Sequence, residues 1–260
     1  MTPTNLWLHE YAGNTDQGGA ELKDLLGAKV FDFPKPSSMM ARVLEHATDK
    51  DSLILDFFSG SATMAHGVMR KNMEDGGTRR FIMVQLPDPC DERPEAHRLG
   101  YKTICDIGEE RIRRAGKKIV AEVEESNRQL KLGEEPKPIP DVGFRVLRID
   151  SSNFLDTYRV PDEQPQANLF ELVDNLKEER TPEDLLFQVL PAFRIPYSAD
   201  IETLAIEGTE CFDVNEGQLI ACFDKQVDTS VIEKIAQEKP IYAVFRDSSL
   251  ADDSAAANFE

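Results

Sequence analysis

LILDFFSGSATMAHGV, residues 53–68, is the stretch on which the fold turns. Leu53, Ile54 and Leu55 form a short apolar run with turn residues close behind, as a buried parallel strand does. A Phe-Ser-Gly-Ser turn follows, and the small residues beyond it suit a helix over 61–71. Strand end, glycine turn and helix start bring free N–H groups and a positive helix end to one place, which suits a charged small molecule. Gly60 is the only glycine of the turn. A dinucleotide fingerprint needs three glycines in G-x-G-x-x-G order and a P-loop needs Gly-Lys-Ser/Thr, so a nicotinamide-cofactor enzyme is disfavoured and a nucleotide triphosphatase equally so.

Working outward, SMMARVLEHAT (38–48) has helical spacing and RRFIMVQLP (79–87) reads as a second apolar strand closed by proline. Ile104, Ile107, Ile112, Ala115, Ile119, Val120 and Val123 mark an amphipathic helix with a charged outer face. KLGEEPKPIPDVG (131–143) gathers prolines, glycines and charges and is read as a linker between a domain at 1–130 and another at 144–260. In the second, GFRVLRI alternates as a strand, NLFELVDNLKEE is helical, and TPEDLLFQVL starts a helix with Thr181 as cap and Pro182 at its first position. TECFDVNEGQLIACF predicts a hairpin around Asn-Glu-Gly, followed by a helix near 229–237 and a strand at 241–245. The fold class is therefore α/β, followed by a smaller α+β domain.

The charge is lopsided. Of the net −18, residues 1–130 carry 18 Lys+Arg against 21 Asp+Glu (net −3), and residues 131–260 carry 12 against 27 (net −15). An acidic surface repels phosphate backbones, so the second half is a poor nucleic-acid surface and is read as a site of protein contacts or as a soluble accessory domain. Cys90, Cys105, Cys211 and Cys222 lack C-x-x-C spacing and the four histidines do not cluster with them, which favours a reduced cytoplasmic setting without structural zinc. No apolar run reaches membrane-spanning length and the first residues show no secretory signal.

Asp56-Phe57-Phe58-Ser59-Gly60-Ser61-Ala62-Thr63 resembles the D-P-F-x-G-S-G-T-T form of the S-adenosylmethionine motif of amino-methylating DNA methyltransferases. An acid there suits the cofactor's α-ammonium group, and hydroxyls with helix N-terminal amides suit its carboxylate. Upstream, VFDFPKPSSMMARVLEHAT, with Phe33-Pro34-Lys35-Pro36, resembles the K-P segment that covers the methionine end. Downstream, RRFIMVQLPDPCDERPEAHRLGYKTICDIGEERIRRAGKKI resembles the Mod subunits of type III restriction-modification systems, adenine-specific methyltransferases of the β arrangement, over roughly residues 5–120. The resemblance implies a partial Rossmann-like S-adenosylmethionine-dependent sheet, with DNA, a helicase-nuclease restriction subunit and a second copy of the full-length protein as partners. Two departures stand out. Ala62 replaces the second motif glycine, with slight repositioning expected. Gln85 stands where many such enzymes place a ribose-binding acid, so it is either a weaker ribose ligand or an ordinary strand-end residue.

The family holds its extruded adenine with an Asp-Pro-Pro-aromatic segment, and none occurs in these 260 residues; RIPYSAD (194–200) is a poor look-alike. No catalytic residue is assigned. The chain is expected to be the C-terminal portion of a larger methyltransferase, inactive alone, or else a non-catalytic assembly module. In RIRRAGKK (111–118), Arg111, Arg114 and Lys118 share a helix face on which pairing with Glu109 and Glu110 or solvation competes with DNA contact. Cys105 reads as a core residue, and Trp7 and Tyr11 as packing of the N-terminal segment.

Overall fold

The computed structural model describes residues 7–131, 133–155, 176–225 and 227–249, and divides the chain into two compact units, 1–146 and 147–260. The first holds α1 (His9–Ala12), α2 (Thr15–Leu26), α3 (Ser37–Ala47), β1 (Leu53–Phe57), α4 (Thr63–Asp75), β2 (Arg80–Val84), α5 (Pro94–Arg98) and α6 (Ile104–Arg128). The second holds α7 (Pro182–Val189), β3 (Ile201–Ile206), β4 (Thr209–Val214), β5 (Leu219–Cys222), α8 (Thr229–Glu238) and β6 (Tyr242–Phe245). Both units mix helices with sheet.

In the first unit β1 and β2 run parallel, with Leu53 opposite Arg80 and Phe57 opposite Val84, joined by α4 as the crossover. Because side chains alternate, Ile54 with Phe81 and Asp56 with Met83 face one way. That face is covered: Ile54 packs with Leu44 of α3 and Val68 of α4, and Phe81 and Met83 pack with Met69, Ile112, Ala115 and Ile119 of α4 and α6. The opposite face corrects the expectation of a buried strand. Leu53, Leu55 and Phe57 are 54%, 57% and 61% exposed and Ile82 is 47% exposed, since α3, α4 and α6 all lie on the other side.

Side chains and caps explain the helices. Asn14 and Gln17 form a capping box at α2, as Thr103 and Asp106 do at α6. Neither α2 nor β3 was expected from the sequence; TDQGGAELKDLL carries two glycines and a thin apolar stripe. Gly18 is where α2 meets the 34–36 segment, since a Cβ there would lie 2.1 Å from the Pro34 carbonyl oxygen. Gly67 similarly lets α4 approach α3 at Met40.

In the second unit the sheet runs β3-β4-β5-β6, with the first three antiparallel and β6 parallel to β5. Leu219 and Ala221 pack on the α7 side, Ile220 and Cys222 on the α8 side, so β5 is buried on both faces. The expected hairpin turn is present, with Asn215, Glu216 and Gly217 all in the left-handed region. The expected strand 143–149 does not form. No partner strand pairs with it among the described residues; Val142 and Phe144 instead lie against Gly116 and Arg113 of α6. Of the helix expected at 168–179, residues 168–175 lie outside the described residues, and Leu176 makes an isolated bridge to Phe154.

Gly18→Ala is expected to lower the stability of the first unit by about 1–3 kcal/mol through overpacking against backbone that has little room to move. An earlier urea midpoint at unchanged slope would show it.

Candidate functional site

The loop from Phe58 to Ala62 is fastened to the end of β2. Phe58 and Ser59 both donate their N–H to the Val84 carbonyl (2.8 and 3.0 Å), and the Gly60 N–H donates to Gln85 Oε1 at 2.7 Å. The Ala62 N–H closes on the Ser59 carbonyl at 2.8 Å. Phe58, Gly60 and Ala62 all adopt left-handed φ (65°, 54° and 56°), a conformation that costs a non-glycine residue about 1–2 kcal/mol. An expensive loop held by several bonds is a feature of binding sites rather than of plain connections.

These bonds settle what the loop can offer. The N–H groups a phosphate would need at Phe58, Ser59 and Gly60 are directed into the protein. What remains is Asp56, half-buried at the end of β1. Among the described residues its carboxylate has no hydrogen-bond or ion-pair partner, and burial alone pushes its pKa up. A half-buried carboxylate without a partner among the described residues, beside a loop held by several hydrogen bonds, is suited to a cation.

Ser61 and Thr63 lie differently from their sequence reading. Both are buried, and both hydroxyls accept from Arg111 Nη1, at 3.1 and 2.6 Å, so they serve the scaffold. Arg111 itself is wholly buried, which corrects its placement on a charged outer face with Arg114 and Lys118. It falls four residues after Ile107 and four before Ala115, on the apolar stripe of α6. Arg113 and Arg114 are the exposed ones and pair with Glu109 and Glu110.

The partner of Arg111 is Glu21, which the sequence did not single out. Its Oε1 accepts from Arg111 Nη2 at 3.0 Å and lies 2.9 Å from His66 Nδ1, off a straight hydrogen-bond line; its Oε2 accepts from the Ser37 N–H at 3.0 Å. Burial raises the Glu21 pKa, but the imidazole of His66 close by, the hydrogen bond from the Ser37 N–H and the Arg111 charge bring it down to about 2.

The remaining expected residues divide. Pro34 and Pro36 are buried, whereas Phe33 (79% exposed, φ 52°) and Lys35 face outward. Phe57 and Phe58 are exposed, and Ser59 and Gly60 half-buried. Ala62 caps α4 without a side-chain hydrogen bond, and its methyl lies against Gly108 of α6 rather than on an open side. Gln85 braces the loop with its amide oxygen while its Nε2 donates to the Leu86 carbonyl. Cys105 Sγ donates to the Gln85 carbonyl, Trp7 lies 5.9 Å from His46, and Arg42 sits over Tyr11.

Residues 1–116 match the DNA methylase family. More narrowly, the chain is similar to the type III restriction-modification enzyme StyLTI Mod subunit of Salmonella typhimurium strain LT2, at 41% identity over 145 residues, 56% of this chain and 20% of that relative. It is also similar to the EcoPI Mod subunit of Escherichia phage P1 (41% over 117 residues, 45% of this chain and 18% of the relative). A third relative is the type II methyltransferase M.KpnI of Klebsiella pneumoniae (36% over 93 residues, 36% and 22%). The N-terminal unit is thus similar to a segment of Mod DNA methyltransferases, and the matched part spans about a fifth of the length of these relatives. Among the described residues no helix is long and apolar enough to cross a membrane.

A lowered carboxyl pKa adds stability above its ordinary value that is lost as pH falls towards the lowered one. Between pH 4.5 and about 2, therefore, the first unit loses the Glu21 contribution. Glu21→Gln is expected to cost about 3 kcal/mol at neutral pH, the low end for breaking a buried pair because Glu21 is 27% exposed, and to flatten stability across that pH window. Urea titrations at several pH values check both.

Proposed function

We propose that the first unit is the methyl-donor seat of a site-specific DNA adenine-N6 methyltransferase of a type III restriction-modification system. The observation that carries the reading is Asp56, an unpartnered, desolvated carboxylate at the end of β1, beside a loop whose N–H groups are turned inward. S-adenosylmethionine fits that donor set. Its α-ammonium pairs with Asp56, and its carboxylate takes the amino end of α4, which has no side-chain cap, with Lys35 assigned as its countercharge. Phe33, Phe57 and Phe58, whose rings are exposed, are assigned to the adenosine together with Ser59 and Gly60. Bound there, the cofactor supplies a methyl group on a positively charged sulfur.

The sheet is read as part of a Rossmann-like methyltransferase fold. The segment that would hold the extruded adenine does not occur in these 260 residues, so the chain alone is expected to bind cofactor weakly and transfer no methyl group. DNA, a helicase-nuclease subunit and a second copy engage the complete enzyme in the cytoplasm. The acidic second unit is assigned to protein contacts, because its charge is unsuited to a phosphate backbone.

Calorimetric titration with S-adenosylmethionine or S-adenosylhomocysteine tests the reading. Binding that Asp56→Asn weakens at least about ten-fold supports it, as loss of one charge-assisted bond predicts. Binding should also weaken as pH falls through the raised Asp56 range, since the neutral acid cannot pair with an ammonium. Without cofactor the sign reverses: a raised pKa penalises the charged form, so Asp56→Asn should melt slightly higher than the parent at neutral pH. Absence of binding, or labelled methyl entering DNA with this chain alone, contradicts the proposal.

A further inference from the structure

The loop's strained conformation is held by something behind it. Arg111 Nη1 grips Ser61 and Thr63, the two hydroxyls that bracket left-handed Ala62, and Arg111 Nη2 grips Glu21. Glu21 then reaches the Ser37 N–H at the start of α3, where Pro36 occupies the cap position and supplies no side-chain cap. One carboxylate on α2 therefore caps the helix that follows Phe33-Pro34-Lys35-Pro36 and anchors the arginine that fixes the glycine loop. Burial opposes the Arg111 charge, and its Nε is buried without an acceptor.

We infer that Glu21 and Arg111 are positioning residues of the cofactor site, which set the loop 58–63 and the segment 33–36 in fixed register before any ligand arrives. This rests on the reading of the loop as a cofactor seat. The two walls belong to parts of the sequence more than twenty residues apart, and the Glu21 carboxylate is the group bonded towards both. Neither residue touches the ligand side; they act through Ser61, Thr63 and Ser37.

Arg79 provides a matched control. It is also a buried arginine, bonded to Thr48, Asn72 and Asp75 at the other end of α4, away from the loop. Arg111→Lys keeps a charge for Glu21 but loses the fork that reaches both hydroxyls. Thr63→Val removes one acceptor with little change of shape and leaves the Glu21–Arg111 pair intact, so it guards against a variant that fails to fold.

Two readouts are taken on the full chain: amide hydrogen exchange at Phe58, Ser59 and Gly60, and S-adenosylhomocysteine affinity. In Arg111→Lys and Thr63→Val the three loop amides should exchange about ten-fold faster relative to Leu55 and Ile82, and affinity should fall about ten-fold. Arg79→Lys should lower the melting temperature without either change. The inference is overturned if the loop variants melt earlier while relative loop protection stays as in the parent chain. The exchange arm needs no cofactor, so a parent chain silent towards S-adenosylhomocysteine counts against the proposed function while exchange still decides the role of Arg111.

Discussion

The buried contact between Glu21 and Arg111 is the constraint on which the rest of the first unit depends. It joins α2 to α6 across 90 residues of sequence, and through Ser37, Ser61 and Thr63 it extends to the starts of α3 and α4. A charge with no solvent exposure persists only if a partner and hydrogen bonds surround it, and here those partners are the groups that shape the loop. The helices, rather than the two short strands, carry this geometry. β1 and β2 contribute the point at which the loop is tied down, the Val84 carbonyl and the Gln85 side chain.

The electrostatic character of the loop follows from the same arrangement. A glycine turn at a helix start ordinarily favours anions, yet this one has turned its N–H groups inward and left the half-buried Asp56 carboxylate without a partner among the described residues. The open face of the two strands, with Leu53, Leu55, Phe57 and Ile82, adds an apolar surface that the described residues of the unit do not cover.

Much of this was legible in the sequence. The β1-loop-α4 order, β2, the long α6, the hairpin at 215–217 and α8 follow from apolar periodicity and turn chemistry, which are local signals. Burial of β1 was not legible, because an apolar run reads the same whether one face or two is covered. The strand expected at 143–149 failed for a related reason: alternation cannot say whether a partner strand exists. The site residues divide similarly. The placing of Asp56 at a strand end before a glycine loop is local and could be read from the sequence, whereas the contacts of Ser61, Thr63 and Gln85 are long-range, to Arg111 and Gly60. A charged residue at a core position of α6, between Ile107 and Ala115, was the one sequence signal that could have exposed Arg111. Glu21 had none, since its helix has a weak apolar stripe.

The central claim is that the Asp56 carboxylate receives the cationic end of the cofactor. Following the Asp56 carboxyl carbon by nuclear magnetic resonance across a pH titration, with and without S-adenosylmethionine, tests it most directly. The account predicts a titration above the usual aspartate range in the free chain that moves to lower pH when the cofactor is present. A titration that stays in place at saturating cofactor would contradict it.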